Sequence, residues 1–165
     1  MNCRIYLAGP DVFHPDALER GAELKRLCAE YGFEGLFPLD NVIGAAGPLE
    51  TARAIREANL ELILKADAVI ANLEPFRGFE PDSGTVFEVG YAVALGKQVV
   101  GYAPELRPMG ERLRDFQKLD AAVGHDRNGL AIEEFGLSHN LMFGELVRAR
   151  SAEEALMLLR KEMPA

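Results

Sequence analysis

The chain has 165 residues, 48% of them hydrophobic and only nine of them proline, which is enough for one domain, residues 1–165, around a single core. A formal net charge of -8 and no basic run argue against a nucleic-acid polymer or an anionic membrane as partner, because both need a compensating Lys/Arg surface. Cys3 and Cys28 fall inside a predicted strand and helix, no secretory signal opens the chain and no apolar run is long enough to span a bilayer, so a reduced, cytoplasmic protein is expected.

Residues 3–10, CRIYLAGP, form a short apolar run stopped by Gly-Pro and predict a buried strand that ends in a loop. Leu18, Ala22, Leu24, Leu27, Cys28 and Tyr31 then recur at helical spacing, with Gly32 as the stop. The pattern repeats: residues 33–39 read as a strand, a loop rich in Gly and Asn follows, and residues 51–66 read as a helix with Ala52, Ile55 and Leu62 on its apolar stripe. DAVIANL (67–73) predicts a third strand, residues 84–97 a third helix and QVVGYAP (98–104) a fourth strand. Near-continuous apolar strands alternating with helices imply a doubly wound α/β fold, a parallel sheet covered on both faces. From 105 to 136 no strand is evident, whereas 137–149 and 151–163 look helical, the latter opened by a capping box of Ser151 and Glu154.

In such sheets the ligand crevice lies outside the carboxyl ends of the strands. Three loops qualify: YLAGPDVF after the first strand, with Gly9 and Phe13; EPFRGFEPDSGT after the third, with Arg77, Asp82 and Ser83; and GYAPE after the fourth. The middle loop leads into the helix carrying Glu88, which is apolar nearly all round and so reads as buried. Burial raises the pKa of such a carboxyl, while the helix dipole and a hydroxyl donor such as Thr85 or Tyr6 lower it. The plainer reading pairs Glu88 with Lys97, Arg77 or solvent. Asp82, taken alone, is an N-cap, and Asp67 a turn residue at a helix–strand junction. His14, His125 and His139 have no metal spacing, and two distant cysteines make no zinc pattern. Glu74, Glu80, Asp82 and Glu88 offer Mg2+ ligands, yet no Walker-type loop accompanies them. Neither a Gly-x-Gly-x-x-Gly fingerprint nor a Gly-x-Ser-x-Gly elbow around Ser83 is present, so no metal or cofactor is expected.

Taken together, YLAGP, DAVIANL, FRGFEPDSGTVFEVGYAVALGK and FGLSHNLM resemble the nucleoside 2-deoxyribosyltransferase family across residues 3–147. The most specific piece is Asp-x-Gly-Thr-x-x-Glu-x-Gly-x-Ala, Asp82 to Ala92. The resemblance implies a flavodoxin-like sheet of about five strands and an enzyme, a cofactor-independent pentosyltransferase that exchanges the base of a 2'-deoxynucleoside through a covalent deoxyribosyl-enzyme. It also implies the roles: Glu88 as nucleophile, Asp67 as the acid serving the departing base, Tyr6 as the residue positioning Glu88 and Asp82 as a ligand of the sugar hydroxyls. Asn140 resembles an Asn inserted into a neighbouring subunit's site, which implies a homo-oligomer whose partners are a 2'-deoxynucleoside and a free nucleobase. Val12, Phe13, Phe76 and Phe79 offer stacking surface or, more plainly, loop packing. Two alternatives stand beside this reading: hydrolysis of 2'-deoxynucleosides or their 5'-monophosphates, disfavoured for the latter if Asp82 faces the 5' end, and a catalytically silent nucleotide-binding module.

Overall fold

The computed structural model describes residues 3–41, 44 and 47–163. Five parallel strands form one sheet: β1 (Cys3–Ala8), β2 (Phe33–Leu36), β3 (Ala68–Asn72), β4 (Gln98–Tyr102) and β5 (Val147–Ala149), in the order β2-β1-β3-β4-β5. That is the flavodoxin-like order, with the switch point between β1 and β3. Strand periodicity separates two cores. Tyr6, Ala8, Val69 and Ala71 face α2 (Pro48–Lys65) and α3 (Ser83–Ala94) through Leu62, Ile63, Val89 and Ala92. Ile5, Leu7, Ala68 and Ile70 face α1 (Ala17–Glu30) and α5 (Ala152–Glu162) through Cys28, Ala155, Leu156 and Leu159.

The first Gly-Pro ends β1 as expected, and Pro10–Phe13 continues as a 3-10 turn. The second helix begins earlier than its apolar stripe suggests, because Pro48 supplies the preset φ of a first helical position. The Gly- and Asn-rich loop before it falls partly outside the described residues. Ser151 caps α5 through the Glu154 amide as expected, but the Glu154 carboxylate reaches back to the Arg150 N–H.

One expectation for the second half is corrected. Residues 137–149 are not helical: they turn through a 3-10 segment, Gly144–Leu146, and end in β5, which pairs with β4. Gly144 passes so close to the His139 carbonyl that a Cβ would meet it at 2.7 Å, and Val147, Arg148 and Ala149 alternate buried, exposed, buried. Period two, not 3.6, is satisfied there. The weakly patterned stretch from 105 to 136 contains a further helix, α4 (Met109–Gln117), whose Arg112 donates to the Ser138 carbonyl at 2.6 Å.

Candidate active site

Glu88 lies midway along α3, and three elements converge on it. β1 supplies Tyr6, fully buried, whose hydroxyl donates to Glu88 Oε1 at 2.7 Å. α2 supplies Asn59, whose Nδ2 donates to the same oxygen at 3.3 Å. Among the described residues Oε2 takes no hydrogen bond, so one carboxylate oxygen is fixed and the other is left to react. Burial pushes the Glu88 carboxyl up to about 7; the two donors pull against that shift and the nearby Asp82 adds to it. Burial, followed by the charge of Glu88 and the hydrogen bond to it, raises the Tyr6 hydroxyl far above its ordinary value, so it remains a donor. The plainer partners of Glu88 are engaged elsewhere: Lys97 donates to the carbonyls of Leu64 and Ala66, and Arg77 stacks on aromatic rings.

Asp82 is the N-cap of α3, its Oδ2 accepting from the Thr85 amide at 2.8 Å and the Thr85 hydroxyl at 2.9 Å. Thr85 therefore serves Asp82 and not Glu88. Asp82 still stands about one and two-thirds turns before Glu88, at the end of the loop that leaves the carboxyl end of β3. Ser83, first residue of α3, is exposed beside it.

The loops after β1 and β3 meet through Phe13 and Phe76, stacked with centroids 5.1 Å apart. The Arg77 guanidinium covers both rings, at 5.3 Å and 4.6 Å. Arg77 holds a left-handed φ of 54°, a conformation that costs an L-residue about 1 kcal/mol and is held here by the stack. Phe13 remains 55% exposed and presents an aromatic face at the strands' carboxyl ends. Gly9 is a packing glycine: a Cβ there would meet Asn72 Cβ at 2.8 Å and Asp11 Oδ2 at 2.9 Å.

Asp67 does not join this site. It immediately precedes β3, so it sits at the amino end of the parallel strands, opposite the crevice. Its carboxylate accepts the Arg4 amide at 2.7 Å, and its own amide donates to the Arg4 carbonyl. The assignment of Asp67 as the acid is thus overturned by strand direction. The residue that does reach Glu88 is Asn59, which the sequence reading passed over because it lies inside a helix as an ordinary polar position.

Asn140 is fixed within its own chain, donating to Glu133 Oε1 at 2.7 Å and receiving the Met142 amide. Its neighbour His139 anchors the segment to β3: Nε2 donates to the Leu73 carbonyl at 2.9 Å and Nδ1 accepts from Ser138 Oγ. Burial pushes the His139 imidazole down to about 4, so it is neutral.

α3 is buried on one side only. Phe87 and Val93 are 57% and 48% exposed, against the expectation of an all-round buried helix. Among the described residues no group of three or more His, Cys, Asp and Glu is placed to hold a metal ion, and no helix is long and apolar enough to cross a membrane.

Comparison with known proteins agrees with the geometry. A family model described as nucleoside 2-deoxyribosyltransferase matches residues 5–142. A solved structure of a 2-desoxiribosyltransferase from Leishmania mexicana is 35% identical, superposes with a TM-score of 0.78, and is covered to 99% by 98% of this chain. An uncharacterised protein of Schizosaccharomyces pombe is 32% identical over 161 residues, spanning 87% of this chain and 76% of the relative. A 2-deoxyribosyltransferase from Bacillus psychrosaccharolyticus, 21% identical with a TM-score of 0.54 over 90% of this chain and 99% of its own, shares the fold.

Proposed function

Because the chain belongs to the nucleoside 2-deoxyribosyltransferase family, we propose that it cleaves the N-glycosidic bond of a 2'-deoxynucleoside and passes the sugar to another nucleobase. Glu88 attacks the anomeric carbon, the base leaves with the bonding electrons, and a deoxyribosyl–Glu88 ester is attacked in turn by the second base. The observation that carries this reading is the partly buried Glu88 carboxylate with Oε1 held by Tyr6 and Asn59 and Oε2 unengaged. A nucleophile held through one oxygen attacks along a defined line, and ordering the attack is where much of the rate is gained.

Asp82, fixed by Thr85, offers its other oxygen to a sugar hydroxyl, and the Phe13–Phe76 face offers stacking to the base. Asn140 completes the site of a neighbouring copy in a homo-oligomer, and the exposed apolar Phe87 and Met142 support a second copy covering this surface. Discrimination against ribonucleosides follows from a nucleophile packed close under the sugar, where a 2'-hydroxyl has no room.

The test is chromatography of the purified protein with deoxyadenosine, with and without excess hypoxanthine, following free adenine and deoxyinosine. Deoxyinosine formed only with hypoxanthine is the expected result. Adenine released at the same rate with or without acceptor, and no deoxyinosine, would make the protein a hydrolase instead.

A further inference from the structure

Asn59 holds the one buried side-chain nitrogen or oxygen without a hydrogen-bond partner among the described residues, its Oδ1. The orientation of the amide follows from chemistry: the atom 3.3 Å from Glu88 Oε1 is the donor Nδ2, since a carbonyl oxygen there would face carboxylate lone pairs. Oδ1 is then an acceptor turned away from Glu88. Buried acceptors in folded proteins are nearly always paired, so an orphan one beside a nucleophile marks a contact completed by the reacting ligand.

Its reach limits what that ligand group is. The oxygen and nitrogen of one carboxamide lie about 2.2 Å apart, which keeps Asn59 Oδ1 within roughly 5.5 Å of Glu88 Oε1. That covers atoms next to the glycosidic bond and not the far substituents of a base. In a neutral deoxynucleoside those atoms are themselves acceptors: ring nitrogens of a purine, the 2-carbonyl of a pyrimidine. An acceptor facing an acceptor gains nothing in the ground state. Once a ring nitrogen carries a proton, the same oxygen gains a charge-assisted hydrogen bond.

Resting on the base-exchange reading above, we propose that Asn59 Oδ1 accepts the ring N–H of the base as its glycosidic bond breaks, while the proton itself comes from solvent. In the step, Glu88 Oε2 bonds to the anomeric carbon, the carbon–nitrogen bond breaks, and its electron pair stays on a base that already holds a solvent proton and leaves neutral. The incoming base runs the sequence backwards and returns its proton to water. Asn59 neither gives nor takes a proton, because a carboxamide does not titrate. Its bond is made to the protonated base on the way to the transition state and not to the neutral nucleoside, which is the kind of contact that accelerates a reaction. The titratable groups acting on Glu88 are Tyr6 from β1 and Asp82 at the start of α3; neither is replaced in the test below.

The test compares two leaving groups across about pH 5 to 9, a window that brackets the titration of Glu88. One is deoxyadenosine, whose base needs a proton; the other is p-nitrophenyl 2-deoxyriboside, whose phenolate departs without one. Asn59→Leu removes the acceptor and also the support of Glu88, so both rates fall, and deoxyadenosine is expected to fall by at least about tenfold more. Asn59→Asp keeps the shape and adds a titratable proton but trades a donor to Glu88 for a like charge, so the Glu88 limb is expected to move to higher pH on both substrates alike, while the rate on deoxyadenosine relative to the nitrophenyl substrate is expected to rise. Equal losses on both substrates in Asn59→Leu would reduce Asn59 to a prop for Glu88, and an Asp variant with no rise in the deoxyadenosine-to-nitrophenyl rate ratio would remove the solvent-derived proton. Wild-type protein inert toward deoxyadenosine would instead sink the base-exchange reading on which this rests.

Discussion

An ionised Glu88 is held against its own desolvation, and the sign of that cost is open to measurement. Its carboxyl titrates at about 7 in the fold against an ordinary 4.5, so between these values the folded state holds a proton that the unfolded chain has lost. Its contribution to stability is present below pH 4.5 and is lost as pH rises through 7. Glu88→Gln cannot ionise; relative to wild type it is expected to gain stability from pH 5 to pH 8 by roughly 3 kcal/mol, read from thermal unfolding at the two pH values. The same variant is expected to lose base release by at least about a thousandfold, since an amide is no nucleophile. A Gln variant with wild-type turnover would remove Glu88 from the mechanism, whatever its stability. Tyr6→Phe tests the other side of the pair. Loss of its hydroxyl withdraws a donor from the ionised form, so the acidic limb of kcat/KM moves to higher pH, while an unmoved limb would mean that the 2.7 Å bond does not set the ionisation of Glu88. Glu88 and Tyr6 were legible in the chain because their surroundings are local: a motif of fixed spacing for the first, an apolar strand for the second. Asn59 was not, since nothing within α2 distinguishes a polar residue that faces solvent from one that faces the next helix.

At the scale of elements, direction decides more than spacing does. Asp67 precedes β3 and Asn72 ends it, yet only the carboxyl end of the strand is carried to the crevice. The order of strand and helix is enough for the architecture, because hydrophobic period and stop residues repeat with each unit, and it already sets Asp67 at the amino end of its strand, away from the crevice; the role given to Asp67 comes from the resemblance alone. Asp67 now has a mechanical role, joining the starts of β1 and β3 through both backbone and carboxylate of the Arg4 pairing. Its side chain is 45% exposed, so the bond is worth little. Asp67→Asn is therefore expected to leave base release within about twofold of wild type and to lower stability by under about 1 kcal/mol. A strong loss of exchange with normal nucleoside binding would return Asp67 to the chemistry. The stretch 137–149 departs from its helical expectation for a different reason. Its Leu, Met, Phe and Leu residues have a helical look, but the decisive contacts are the long-range ones of His139 with β3 and of Val147 with β4.

For the whole molecule, the surface of the chain is unevenly finished. α3 shows Phe87 and Val93 to solvent, and the segment anchored by His139 shows Leu141 and Met142, the latter 81% exposed. The net charge of -8 opposes association of copies at long range and does not account for these exposed apolar side chains. A second copy over this surface would desolvate Glu88 further and offer Asn140, tied to Glu133 within its own chain, a neighbouring site to complete. The arrangement is testable by mixing two defective proteins. Glu88→Ala lacks the nucleophile, and Asn140→Ala lacks the contributed amide; alone, each is expected to be nearly inactive. If sites are shared, half the dimers formed on random exchange contain both chains, and one site in each has a Glu88 from one copy and an Asn140 from the other. Exchange activity then recovers to about a quarter of wild type. If Asn140 serves its own chain, every site in the mixture keeps one defect or the other and no activity returns, although the proteins still associate. Recovery thus depends on geometry between copies and not on the fold of either, which makes it the measurement that separates a self-contained site from one built by assembly.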